Sequence, residues 1–524
     1  MKNIDNNFNE DELLEEAMRN QFNETKNTTL RLPKIVEEYA DSAIEVSRNN
    51  RVPAILSAYS LLGQICKEMV YVPKGRGTED IRVHIIWLQT SGSGKSEMYN
   101  FTGRIAQYVF DILNGRYRDN IEAETAGERH NRFSIHAVKS TTDAALIGKM
   151  KMEDVTITDD EGNTTYEQIP KQLFGGLEGD GLCVYDEFEY SGVFKPTQHK
   201  QEVVMYLNTL MNTLAGQNYR ITKQLAEGGE MYCDSRRSIY ATSYIPKTLT
   251  SVIAETGLLQ RCLIYIREVP ISEQNAVRET LSNDYGKIID TQTPINKFGD
   301  AFVEIYECLK EKYDSVPLEV NDGMSEEQIR EAEVIRRKKV ITFSKGVNDT
   351  ITNETIKFQN FVHDSRPAVI EIANNFITRM QVSMVRLAVL SCIAEAPKFP
   401  KKDGFKLTSK HVLQASHVTQ QCYKSLVLWL DSALRAERLS SAKKQKLDVF
   451  TKEYKKLVES GKSVSIEGQT GEWINKSVLL ETVRLVTNAS PATIYRNYKS
   501  NKEYFEEIKH NKSRFVNIKR RGIK

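Results

Sequence analysis

The run Trp87-Leu88-Gln89-Thr90-Ser91-Gly92-Ser93-Gly94-Lys95-Ser96 follows the apolar stretch Val83-His84-Ile85-Ile86. A strand, a glycine-rich turn and a helix opening near Ser96 bring backbone N–H groups to one point, with the helix N-terminus adding its positive end. Glycine is required there wherever φ is positive or a side chain would block a phosphate. Ser91, Gly92, Ser93, Gly94, Lys95 and Ser96 therefore form the expected ATP cradle. Lys95 would reach the β and γ phosphates, and the Ser96 hydroxyl would complete an Mg²⁺ shell. Gln89 stands where the GxxxxGK[ST] pattern has its first glycine, at the strand exit, the position at which that glycine is most dispensable.

A second apolar strand, Leu182-Cys183-Val184-Tyr185, ends in Asp186-Glu187. Alternation along the strand sends the two carboxylates in different directions. Asp186 can hold Mg²⁺ through water, and Glu187 can polarise an attacking water, as ATP hydrolysis requires. A cation must also offset the charge that develops on the γ phosphate. Arg261, between an apolar turn and the strand Cys262-Leu263-Ile264-Tyr265-Ile266, suits that task; the competing reading pairs it with Glu255 on the surface.

At 524 residues the chain is too long for a single core. Its 27% charged residues balance to a net charge of +2, so any nucleic-acid surface must be local. The seven cysteines are scattered singly, which argues against a disulfide framework or a zinc ribbon, and the His130/His136 spacing fits neither face of a helix. No uninterrupted apolar segment is long enough to span a bilayer, and the polar start lacks a secretion signal, so a cytoplasmic location without membrane contact is expected.

The pattern divides the chain into a polar tail (1–28), a helical region (29–78), a P-loop core (79–270), a charged insertion or linker (271–349), a helical block (350–460) and a compact C-terminal segment (461–524). Within the core, Val155 to Ile169 alternates around Asp160-Glu161-Gly162-Asn163 and predicts a hairpin. The last segment predicts a helix, a turn and a second helix capped by Ser490 with Pro491 at its first position, then a basic wing.

Taken together these motifs resemble the AAA+ rings of minichromosome maintenance (MCM) helicases. "DGLCVYDEFEY" is similar to their acidic strand, "SRRSIYATSYIP" to their sensor 1 strand, "GLLQRC" to their arginine finger, and the Arg379 to Arg386 spacing to their sensor 2 helix. The layout over about residues 30 to 440 is closer still to MCM-like P-loop proteins of phages, plasmids and mobile elements. The resemblance implies an α/β fold: an AAA+ core with a parallel sheet, an all-α lid and a C-terminal winged helix. It also implies that Arg261 and Arg379 act on the nucleotide of an adjacent subunit. The sensor 1 asparagine is absent, leaving Thr242, Ser243 or Tyr244 to contact the attacking water, with Ser243 favoured. No segment here corresponds to the MCM oligonucleotide-binding domain ahead of the ATPase.

In such rings a hairpin before sensor 1 presents basic residues to a strand in the pore. The matching segment holds Arg220, Lys223, Arg236 and Arg237, suited either to phosphate contact or to subunit packing. The acidic insert around Asp160 would repel a phosphate backbone. In the last segment Tyr495, Arg496, Lys499, Lys502 and the Lys519-Arg520-Arg521 run place positive charge for DNA, although a winged helix can also serve protein contact. The expected activity is that of an ATP-dependent, ring-forming DNA helicase or translocase for replication of a phage or mobile element. Such a protein would be a homo-oligomer, typically a hexamer, in bacterial or phage-infected cytoplasm, with a primase or other replication protein as partner. The alternative is an origin-binding initiator, helicase loader or regulator that does not unwind DNA.

Overall fold

The computed structural model describes residues 32–118 and 133–518, apart from 48–50, 76, 139–141, 159–163, 192, 195–200, 217–218, 225–229, 247–248, 250–256, 288–289, 322, 399–404, 468, 470, 488 and 512. Residues 1–430 form one compact unit and 431–524 another.

The first unit opens with helices α1 (Lys34–Ser47) and α2 (Arg51–Cys66), followed by the antiparallel pair β1 (Tyr71–Lys74) and β2 (Gly77–Asp80). Strand β3 (Ile85–Gln89) leads through the glycine turn into α3 (Lys95–Arg118). Next come β4 (Phe133–Ala137), the hairpin β5 (Gly148–Thr158) with β6 (Thr164–Phe174), and β7 (Asp180–Tyr185). Helix α4 (Gln201–Leu210), a second hairpin of β8 (Arg220–Gln224) and β9 (Glu230–Asp234), then β10 (Ser238–Ser243) and β11 (Leu263–Arg267) complete the core.

Five of these strands make one parallel sheet in the order β11-β3-β10-β7-β4. Its central members are apolar and buried along their length, as parallel strands covered on both faces must be. The strand carrying Thr242 and Ser243 thus lies between the loop strand and the acid strand. The edge strand β4 alternates apolar Phe133, Ile135 and Ala137 with Ser134 and His136 over only five residues, and the sequence reading did not single it out.

Helix α2 is almost wholly buried, wedged between the sheet and the later helices. Ser57 and Tyr240 share a hydrogen bond of 2.9 Å, and Tyr59 and Ser391 one of 2.7 Å. The segment read as a charged linker holds α5 (Ile271–Asp284), α6 (Gln292–Ser315) and α7 (Glu326–Lys339). Helix α6 buries Phe298, Phe302, Ile305 and Leu309 at helical spacing, and its rings pack on Tyr39. Charged neighbours on the solvent face diluted that stripe in the sequence. Helix α7 opens on a capping box from Ser325 and Gln328 and has no buried residue.

A short parallel pair, β12 (Ile341–Phe343) and β13 (Phe405–Leu407), accompanies α8 (Val347–His363), α9 (Pro367–Ala394) and α10 (Ser409–Glu459). Helix α9 is the one helix among the described residues long and apolar enough to cross a bilayer, although Arg379 and Arg386 interrupt its apolar run. Its most apolar 18 residues are 56% buried within the protein, which supplies a reason for that apolarity other than lipid. The cysteines are all free thiols, and all but Cys308 are buried.

In the second unit, Phe450, Tyr454 and Leu457 from the last turns of α10 share a core with β14 (Ile474–Asn475), α11 (Lys476–Thr487), α12 (Pro491–Ser500) and the hairpin β15 (Phe505–His510) with β16 (Ser513–Ile518). The three strands pair antiparallel in the order β14-β16-β15. Ser490 caps α12 by accepting the Thr493 N–H at 3.2 Å, with Pro491 at the first position.

Candidate active site

The glycine turn lies at the C-terminal end of β3, where open α/β sheets hold their ligands. Gly92 and Gly94 have φ of 69° and 82°, the left-handed region that a side chain resists. A Cβ at Gly92 would meet open space, so conformation rather than crowding calls for glycine there.

Gln89 is fully buried and braces the loop that its missing glycine would have relaxed. Its carbonyl accepts the Trp87 indole N–H at 2.7 Å, and its amide donates to the Ser93 hydroxyl at 2.8 Å. Ser93 in turn donates to the Thr90 carbonyl at 2.5 Å. The Lys95 amine donates to the carbonyls of Gln89 at 2.7 Å and Thr90 at 3.0 Å. Burial pushes the Lys95 amine below its ordinary value, while the Glu189 and Asp186 carboxylates act in the opposite sense. Ser91 and Ser96 are exposed at the turn.

The acids come from the end of β7, where Asp186 and Glu187 are exposed. The Thr242 hydroxyl donates to the Asp186 carbonyl at 2.6 Å and reaches its carboxylate at 3.3 Å, which orients the metal-holding candidate. Ser243 donates to the Glu189 carboxylate in a short hydrogen bond. The favoured water contact is therefore tied to an acid the sequence reading passed over, although "DEFE" displayed it. Tyr244, the third option, is exposed. Among the described residues no cluster of three or more His, Cys, Asp or Glu could hold a metal, so an ion at Ser96 and Asp186 would need phosphate oxygens and water to fill its shell.

Arg261 sits just before β11, whose first residue pairs with Ile85 at the start of β3. With a rise of ~3.3 Å per residue, the length of β3 separates it from Lys95 by well over about 10 Å. It donates to the Asn208 carbonyl and the Asn212 side chain, each at 2.7 Å. After burial, the nearby Arg379 guanidinium is the strongest influence lowering its pKa. The two residues expected to act in trans thus lie together, at the sheet end remote from their own glycine loop.

Two of the nucleic-acid candidates are spent inside the fold. Arg237 is only 5% exposed, and it donates to the Ser134 carbonyl, the Ser134 hydroxyl and the Glu178 carbonyl, each at 2.9 Å. It clamps β10 to β4 and the turn before β7, which corrects its assignment to phosphate. Arg236 is half-buried between Glu68 at 3.4 Å and Asp234 at 3.6 Å. Lys223 pairs with Glu202 at 3.2 Å and Arg220 with Asp234 at 3.6 Å, so the hairpin arms are charge-compensated. The hairpin tip, 225–229, lies outside the described residues.

On α12, Ile494 and Tyr498 point into the core, which leaves Tyr495, Arg496 and Lys499 exposed. Lys502 is exposed just beyond. The wing adds Lys509 opposite Arg514, both exposed, a pair the sequence reading did not single out. Lys519, Arg520 and Arg521 lie outside the described residues. Neither models of known protein families nor curated proteins yield a match to this chain.

Proposed function

We propose that this chain is an ATP-driven DNA helicase or translocase that works as a ring, of the MCM-like AAA+ kind, with a C-terminal winged helix. The observation that carries the reading is the separation of the chemistry into two halves. The loop, Lys95 and the Asp186-Glu187 acids occupy the C-terminal ends of the strands, while Arg261 and Arg379 gather at the opposite end. Neither half suffices for hydrolysis, and one chain cannot bring them together without breaking the sheet. Two copies arranged head to tail can, and repetition of such a contact closes a ring; a hexamer is the expected size.

The left-handed glycines and the α3 N-terminus orient N–H groups toward the phosphates, and Lys95 supplies the point charge. Mg²⁺, held through Ser96 and Asp186, would neutralise phosphate charge. Glu187 takes the proton of the attacking water, and Thr242 and Ser243 fix the carboxylates around it. Arg261→Ala should abolish hydrolysis, by about 10³-fold or more, while leaving ATP binding intact. Loss of binding, or full turnover, would refute the trans arrangement.

One observation favours the second reading, a duplex-binding initiator or loader that does not unwind. The hairpin cations are paired with carboxylates, whereas those of the C-terminal unit face solvent. Unwinding of a forked duplex with strand-stimulated hydrolysis supports the helicase; site-specific duplex binding without unwinding supports the switch. A replication partner such as a primase belongs with the first reading.

A further inference from the structure

Strand β7 is apolar up to Tyr185, and the chain beyond it turns about one ring. Phe188 is fully buried, edge-on to Tyr185 at 5.1 Å and to Phe194 at 5.4 Å between ring centroids. With that ring as a plug, Phe188–Ser191 wind into a 3₁₀ turn that brings Glu189 back beside the end of β10. The apolar letter inside "DEFE" thus decides where its third acid stands.

Two neighbours on β10 hold two acids. Thr242 takes Asp186, and Ser243, only 2% exposed, donates to the Glu189 carboxylate. Ser243 stands level with Leu88 of β3, one residue before Gln89, whose carbonyl accepts the Lys95 amine. Glu189 therefore lies at the mouth of the glycine turn, and after burial its charge is the strongest influence on Lys95, ahead of Asp186. Glu187 differs: it is exposed and has no hydrogen bond or ion pair among the described residues. The carboxylate given the water's proton is the loose one, and the half-buried, fastened one has no task.

Water attacks phosphorus through a lone pair, so both of its hydrogens must point away from the phosphate. A single loose base fixes only one of them. We propose that Glu189 is a further catalytic residue, whose carboxylate accepts a hydrogen bond from the second hydrogen of the attacking water while Glu187 takes the first as a proton. Ser243 is the positioning residue that holds Glu189 there. The water oxygen bonds to the γ phosphorus, the bond from that phosphorus to the bridging oxygen breaks, and ADP leaves with its electron pair. Glu189 gains and loses nothing. Ser243, expected to touch the water itself, acts through a carboxylate instead. This role rests on the ATPase reading above.

The test is single-turnover ATP hydrolysis by the full chain, read beside calorimetric ATP affinity and thermal melting. Glu189→Gln keeps the size of the side chain and removes its charge; it should slow the chemical step about 10²-fold and move ATP affinity less than about twofold. Ser243→Ala should also slow the step, whereas Ser243→Thr, which keeps the hydroxyl, should not. In the Glu189→Gln background the Ser243→Ala loss should vanish, because the serine works through the carboxylate. Parental speed in Glu189→Gln, or a Ser243→Ala loss that adds in full, overturns the proposal, and turnover by the parent then leaves the ATPase reading standing. If Glu189→Gln does not fold, the serine decides alone: parental speed in Ser243→Ala overturns it. A parent chain that neither binds nor hydrolyses ATP overturns both.

Discussion

The Gln89 amide donates to the Ser93 hydroxyl across 2.8 Å, and the same side chain accepts from the Trp87 indole across 2.7 Å. The residue that spoils the glycine pattern therefore fastens strand to loop. Gln89→Ala should cost about 1–3 kcal/mol, because the Trp87 N–H is left buried and unmatched. Thermal or urea denaturation measures this, and nucleotide affinity should fall with it. A Gln89→Ala protein as stable as its parent would show that the brace carries no weight.

On the proposed nucleotide reading, Lys95 should make binding sensitive to alkali. The amine must be charged to bind phosphate, and burial lowers its pKa in the free protein, whereas a bound phosphate raises it again. Affinity is therefore full at neutral pH and declines as pH rises through the lowered value, before the ordinary lysine range near 10.5 is reached. A titration of ATP affinity from neutral to alkaline pH should show this decline, and Lys95→Arg should remove it.

Mixing distinguishes a shared site from a self-contained one. Lys95→Ala and Arg261→Ala should each be inactive alone. Mixed in equal amounts, they should recover part of the hydrolysis, because an intact loop on one copy meets an intact arginine on the next. A mixture as dead as its components would place all the chemistry within one chain.

The arginines should separate by role. Arg237→Ala leaves buried acceptors on Ser134 and Glu178 unmatched and should destabilise the fold by about 2–3 kcal/mol. Arg496→Ala with Lys499→Ala touches only exposed groups. It should leave the melting temperature within about 1–2 °C and reduce the salt dependence of DNA binding by a slope of about 2.

Four of the five parallel strands, all but β4, were legible as apolar runs beside a functional turn, α9 by its apolar periodicity, and α12 by its Ser490 cap and Pro491. What sequence hides is partnership. Arg236 and Arg237 read as a basic patch, yet their charges are taken up by Glu68 and by backbone carbonyls that only folding brings near. Glu189 was visible as a letter but not as the acceptor of Ser243, since that contact depends on β10 entering beside β7.

The clamp on Arg237 has a mechanical corollary. The hairpin base at Asp234 and the catalytic candidate Ser243 are consecutive stations on one piece of backbone, with the clamp between them and the six residues of β10 hydrogen-bonded on both sides. An extended strand so held neither stretches nor buckles. It behaves as a pushrod, so any force that shifts the hairpin root must either shear the guanidinium from its carbonyls or arrive as displacement of Ser243 and the Glu189 carboxylate it holds.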